Sequence, residues 1–147
     1  LEVDFVSGVS LAGFEERAAA LDPGTILLIL TIFEDARGER FIPAEAAQQI
    51  AGRSAAPSWG VYHTFLDDGR EGEDGGGIVG GVVEPFEVMG RALGERTLDV
   101  LAGEAAANTV IAVPDQTVVD WSELRRYRLD PALLPQDAVL IDYDPTF

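Results

Sequence analysis

Few residues in this chain can do chemistry. His63 is the only histidine, and there is no cysteine. Disulfides, thiol catalysis and zinc–thiolate sites are therefore excluded. Glu34 and Asp35 stand side by side in "TIFEDARGER". Two neighbouring carboxylates can share general acid and base work, or they stay solvated in a loop, or hydrogen-bond a polar ligand. His63 lies between Tyr62 and Thr64 in "GVYHTFL", where an imidazole can be a structural group or a ligand contact. No G-x-S-x-G elbow supports a serine nucleophile, and no G-x-x-x-x-G-K-[ST] run supports a phosphate loop.

The stretch "DDGREGEDGGGIVGG", Asp67 to Gly81, crowds acids and glycines together. As a calcium loop it fails. Gly69 stands at the third position and Ile78 where a bidentate glutamate is needed. Gly75, Gly77 and Gly80 spell G-x-G-x-x-G, but that fingerprint needs a strand before it and a helix after it. Here it trails Asp67, Asp68, Glu71, Glu73 and Asp74, with Arg70 the one nearby base. A pyrophosphate would meet strong repulsion there. Asp67 to Gly77 reads as a mobile surface insertion that binds no metal.

Composition sets wider bounds. The chain has 147 residues, enough for one domain with a real core. Acids number 26 and bases 10, a net charge of −16. That balance argues against nucleic acid, which is bound through basic patches, and against an anionic membrane surface. No apolar run is long enough to span a bilayer.

The elements that must hold these residues alternate. "VDFVS", Val3 to Ser7, reads as a strand. Ser10 caps a helix with Leu11, Phe14, Ala18 and Leu21 at helical spacing. "TILLILTIF", Thr25 to Phe33, is an unbroken apolar run that predicts a strand buried on both faces, as in the centre of a parallel sheet. Pro43 opens an alanine-rich helix. Ser58 to Leu66 reads as the next strand. Pro85 to Gly103 is the clearest helix, with Phe86, Met89, Leu93, Val100 and Leu101 on one face and Gly103 at its C-cap. "TVIAVP" predicts a strand, Asp120 caps a short helix, and "AVLIDYDP" predicts a final strand. Strands alternating with helices imply an α/β fold with a mostly parallel sheet.

The run "GVYHTFL…GIVGGVVEPFEVMGRALGERTLDVLAGE" resembles the ABC-transporter substrate-binding-like domains. These have the type I periplasmic-binding fold and are carried outside the membrane by many bacterial sensor histidine kinases. In that family a strand ends in a short polar triplet, a G-[IV]-V-G-G turn follows, and a long helix ends in "LAGE". "TILLILTIFEDARGERFIP" is similar to the family's strand, acidic loop and proline-started helix. "VVDWSELRRYRLDPALLPQDAVLIDYDP" is similar to its closing segment. Two departures stand out. "DDGREGED" is inserted between triplet and glycine turn, and His63 occupies a place where the family more often has an acid.

The resemblance implies a Rossmann-like lobe over residues 1–83 and a closing segment over 84–147 that returns toward a first lobe outside this chain, about half of the usual domain. It implies an extracytoplasmic location, and a membrane-anchored parent that continues past Phe147. The expected function is a sensor domain that binds a small polar molecule and passes occupancy to a kinase by lobe closure. A free solute-binding protein and a small enzyme built on Glu34, Asp35 and His63 are the alternatives. No cofactor is expected. A half-domain also leaves apolar surface that predicts a homodimer.

Strand-end geometry supplies the candidate contacts, because open α/β sheets bind ligands beyond their strand C-termini. They are Thr31, Glu34, Asp35, Tyr62, His63, Thr64 and Glu84. Hydroxyls, an imidazole and carboxylates suit a small polar or amine-bearing ligand, with the Tyr62 ring as an apolar face.

Overall fold

A computed structural model describes residues 1–66, 77–106 and 108–143. The acidic part of the glycine-rich loop, 67–76, lies outside the described residues, and so does the expectation that it is a mobile insertion.

Among the described residues, four α-helices and five strands follow in the order α1 (Leu11–Ala19), β1 (Leu27–Ile29), α2 (Pro43–Arg53), β2 (Ser58–Gly60), β3 (Ile78–Val83), α3 (Phe86–Leu101), β4 (Gln116–Asp120), α4 (Trp121–Arg126) and β5 (Val139–Ile141). The strands form one sheet in chain order. β1, β2 and β3 run parallel, β4 is antiparallel to β3, and β5 is parallel to β4. The sheet is thus mostly parallel, and the α/β class expected from the alternation holds.

Local chemistry starts most helices where it should. The Ser10 hydroxyl accepts a hydrogen bond from the Gly13 N–H and caps α1. Pro43 sits in the first turn of α2, where its missing N–H costs nothing. The Asp120 carboxylate accepts from the Ser122 and Glu123 N–H groups and caps α4. At the end of α3, Gly103 takes a positive φ of 76°. Its N–H bonds the Val100 carbonyl while Glu104 N–H reaches back to Asp99, the paired closure that favours glycine.

Among the described residues two clusters form the core. Ala18, Ile29, Ala47, Ile50, Ala51, Phe65 and Ile78 pack together under α1 and α2. Val79, Val119 and Leu124 pack with Trp59, Trp121 and Leu140 under α4. Ile78 and Val79 are neighbours in β3 yet serve different clusters, as strand alternation requires. Helices therefore cover both faces of the sheet. The Tyr127 hydroxyl ties the layers by donating to the Ser54 carbonyl at 3.2 Å.

The glycines of "GIVGG" are demanded by packing. A Cβ on Gly81 would stand 2.1 Å from the Gly60 carbonyl oxygen across the β2–β3 pair. Gly77 has φ 81°, and a Cβ there would meet the Ala51 backbone at 2.5 Å. The segment is not a turn, as the resemblance suggested, but the entry into a strand. These glycines run directly into strand β3 and not into a helix, so the dinucleotide fingerprint has the wrong context here too.

Three expectations need correction. Val3 to Ser7 joins no sheet, and Val3 and Phe5 are exposed. Thr25 to Phe33 is not a central strand. Only Leu27–Ile29 pairs, at the sheet edge with β2 its one neighbour, and Leu28 and Leu30 are exposed while Ile29 faces α1 and α2. "TVIAVP" is not a strand either. Val110 is 90% exposed, and the place beside β3 is taken by Gln116–Asp120, whose Val118 and Val119 are fully buried. The two-residue valine run flanked by polar residues was too short to read as a strand from its pattern.

Candidate functional site

Because β1, β2 and β3 are parallel, their C-terminal ends lie at one end of the sheet. Antiparallel β4 brings its N-terminal end there. The segments that leave this end are Leu30–Phe33, Val61–Phe65 and Glu84–Phe86.

The second of these is built around Phe65. β2 stops at Gly60, short of the strand end expected at Leu66. The chain then turns through one 3-10 turn, His63–Phe65, closed by the Phe65 N–H on the Tyr62 carbonyl at 3.0 Å. Phe65 is buried against Gly60, where a Cβ would come within 3.0 Å of its ring. The Tyr62 ring meets Phe65 edge-on, 5.3 Å between centroids. With Phe65 anchored, Tyr62 and Thr64 are left exposed and His63 partly buried.

His63 reaches the third segment. Its ring lies 6.0 Å from that of Phe86, tilted by 44°. Phe86 opens α3, two residues beyond Glu84. Glu84 is partly buried, and its Oε2 is closed off from solvent with no hydrogen-bond partner. The β2 and β3 ends thus bring Tyr62, His63, Thr64, Glu84 and Phe86 into one neighbourhood. Phe86 was read from the sequence only as part of the apolar face of α3. The signal for its second role is the run Glu-Pro-Phe directly after a strand, which puts an aromatic ring at the sheet end.

The first segment behaves differently. Thr31 is exposed just past β1. The chain then folds into a short hairpin, with Phe41 N–H on the Phe33 carbonyl and Asp35 N–H on the Glu39 carbonyl. Glu34 is exposed and pairs with Arg40 at 3.3 Å. Asp35 is buried and structural. Its carboxylate accepts from the N–H groups of Leu11, Arg37 and Glu39 at 3.1, 2.8 and 3.1 Å. It stitches the hairpin to the start of α1. Burial is the largest single influence on its pKa and pushes it up. The three N–H donors and the Arg37 charge together outweigh that, so the carboxyl titrates below its ordinary value. An oxygen pair holding three backbone donors has little capacity left for a ligand, and Asp35 and Glu34 do not form an acid–base pair.

A second buried carboxylate, Glu123, lies on α4. It accepts from Arg126 at 3.2 Å and from the Gly77 N–H. Burial raises its pKa, with Asp120 adding to the rise, and Arg126 and the Gly77 N–H only partly offset it. Among the described residues no group of three or more histidine or acidic side chains could hold a metal ion. No described helix is long and apolar enough to cross a membrane.

No protein-family model, curated protein or solved structure matches this chain. What the fold defines is an α/β chain with a mostly parallel sheet. What the site defines is a strand-end neighbourhood of two aromatic rings, an imidazole, a hydroxyl and a carboxylate.

Proposed function

We propose that this chain is a ligand-binding, non-catalytic lobe of an extracytoplasmic sensor, with its ligand held at the C-terminal ends of β2 and β3. One observation carries the reading: Tyr62, His63, Thr64, Glu84 and Phe86 gather where parallel strands end, the place at which open α/β sheets take small molecules. The resemblance to sensor-kinase binding domains supplies the rest. In that reading a second lobe closes over the ligand, because the ligand touches both lobes only in the closed form. The residues here suit binding more than turnover. Asp35 is committed to backbone donors and Glu34 to Arg40, so neither of these two acids is free to serve the imidazole as the partner of a catalytic base.

The test is ligand-dependent stabilisation of the two-lobed domain. A small polar metabolite that binds only the native state should raise its stability by about 2.7 kcal/mol at a hundred times Kd. Exchanging His63 and Thr64 for alanine should abolish that rise and leave the unliganded melting temperature within a few degrees. A double variant that binds as well as the parent would place the site elsewhere.

A further inference from the structure

We infer that the strand-end site takes a ligand bearing a protonated amine on a short apolar body, with Glu84 as the group that receives the amine. This rests on the strand-end reading above and names the ligand class for it. Among the described residues at that end, Glu84 is the carboxylate with an enclosed and unsatisfied oxygen, whereas Asp115, just before β4, is exposed to solvent. The described ion pairs join Arg37 to Asp35, Arg40 to Glu34, Arg91 to Glu87 and Arg126 to Glu123, and none serves Glu84. Its Oε2 is shut away from solvent without a donor. Such an acceptor is costly to leave unsatisfied.

A carboxylate accepts only, so what satisfies it must donate, and a cationic donor makes the stronger bond. The residue as a whole is only partly buried. The terminal torsion of a glutamate is soft, so the carboxylate can reorient to meet a donor. Around it the surfaces suit the remainder of such a molecule. Phe86 is two residues away, with its ring against His63. Tyr62 offers a second, exposed ring. Aromatic faces attract an ammonium group and pack its alkyl chain. The chain's net charge of −16 draws cations toward the site.

The unique imidazole provides the readout. His63 is the only histidine, so its ring-proton signals in a nuclear magnetic resonance spectrum belong to one residue. The chain is titrated in parallel with n-butylammonium, n-butanol and n-butyrate at constant ionic strength. Saturable movement of the His63 signals is expected with n-butylammonium, and far less with the neutral and anionic analogues. Glu84→Gln should weaken that binding by about tenfold or more, while Glu87→Gln, at an exposed acid one residue into α3, should leave it unchanged. An unaltered titration in Glu84→Gln overturns the inference, as does equal weakening in Glu87→Gln, which marks diffuse attraction to an acidic surface. Saturable movement with n-butanol or n-butyrate alone overturns the amine while leaving the strand-end site standing. Failure of all three probes to move the His63 signals counts against both.

Discussion

α2 and α3 are both amphipathic, and their surroundings could hardly differ more. α2 buries Ala46, Ala47, Ile50 and Ala51 against α1 and the sheet. α3 is longer and richer in large apolar side chains, yet buries none of them. Leu93 is 66% exposed, Leu98 68% and Leu101 79%. Helical periodicity says which face of a helix seeks cover. It does not say where the cover comes from. For α2 it comes from elements next to it in sequence, and its small alanines allow close approach. For α3 no described element supplies it. In the proposed two-lobed reading, exposed apolar side chains such as Leu93 and Leu101 are what the second lobe would cover.

The contrast is broken or upheld most directly by truncation. Ile50→Ala removes a fully buried side chain from the cluster under α1 and α2. It should cost about 2–5 kcal/mol, the range for core cavities. Leu93→Ala should change stability by less than about 0.5 kcal/mol, as exposed substitutions do. Urea melts of the two variants beside the parent measure both. A loss at Leu93 approaching that at Ile50 would mean that α3 is packed in solution, by a second copy or by residues outside the described ones.

Glycine exchanges sharpen the same comparison with opposite signs. At Gly81 a Cβ meets the Gly60 carbonyl oxygen at 2.1 Å, so Gly81→Ala must push two paired strands apart. A loss of about 1–3 kcal/mol is expected from such overpacking. Gly90 lies inside α3 with nothing within 4 Å of where its Cβ would be. Gly90→Ala should therefore stabilise the chain by roughly 0.5–1 kcal/mol, since alanine loses less backbone freedom in a helix. Thermal melts of the pair give the signs. Destabilisation by Gly90→Ala would show that α3 has a close neighbour.

Much of the helical framework was legible because its signals are local. Ser10, Pro43, Asp120 and Gly103 act within a turn of where they stand, and each element they mark is found. The strands were less legible, because pairing is settled far along the chain. "TVIAVP" has the better strand composition, but Gln116–Asp120 holds the place beside β3. The long apolar run around β1 says nothing of how many neighbours the strand will have. At the site, strand ends directed attention to His63 and Glu84, and the structure puts their segments together. The work of Asp35 was hidden, since one of its donors, Leu11, is 24 residues away. Its other two, Arg37 and Glu39, are the local turn pattern of an aspartate, and could have been suspected.

The smallest expected effects are those of pH, and they divide the packed part of the molecule itself. Asp35 and Glu123 are both buried carboxylates, with shifts of opposite direction. In Asp35 the folded pKa is lowered, so the folded state holds the charged form better than the unfolded chain does. Its contribution is complete above the ordinary value of 3.8 and fades as pH falls through the lowered folded value. In Glu123 the folded pKa is raised, and the folded state favours the proton. Its contribution is complete below the ordinary value of 4.5 and is lost as pH rises through the raised folded value. Denaturation of the parent, Asp35→Asn and Glu123→Gln across acidic to neutral pH separates the two. The advantage of parent over Asp35→Asn should shrink on going below about pH 4. The advantage of parent over Glu123→Gln should shrink in the other direction, from about pH 4.5 upward. If the Asp35 difference instead grew on acidification, the three backbone donors would not be outweighing its burial; if the Glu123 difference grew toward neutral pH, Arg126 and the Gly77 N–H would be outweighing the burial of Glu123.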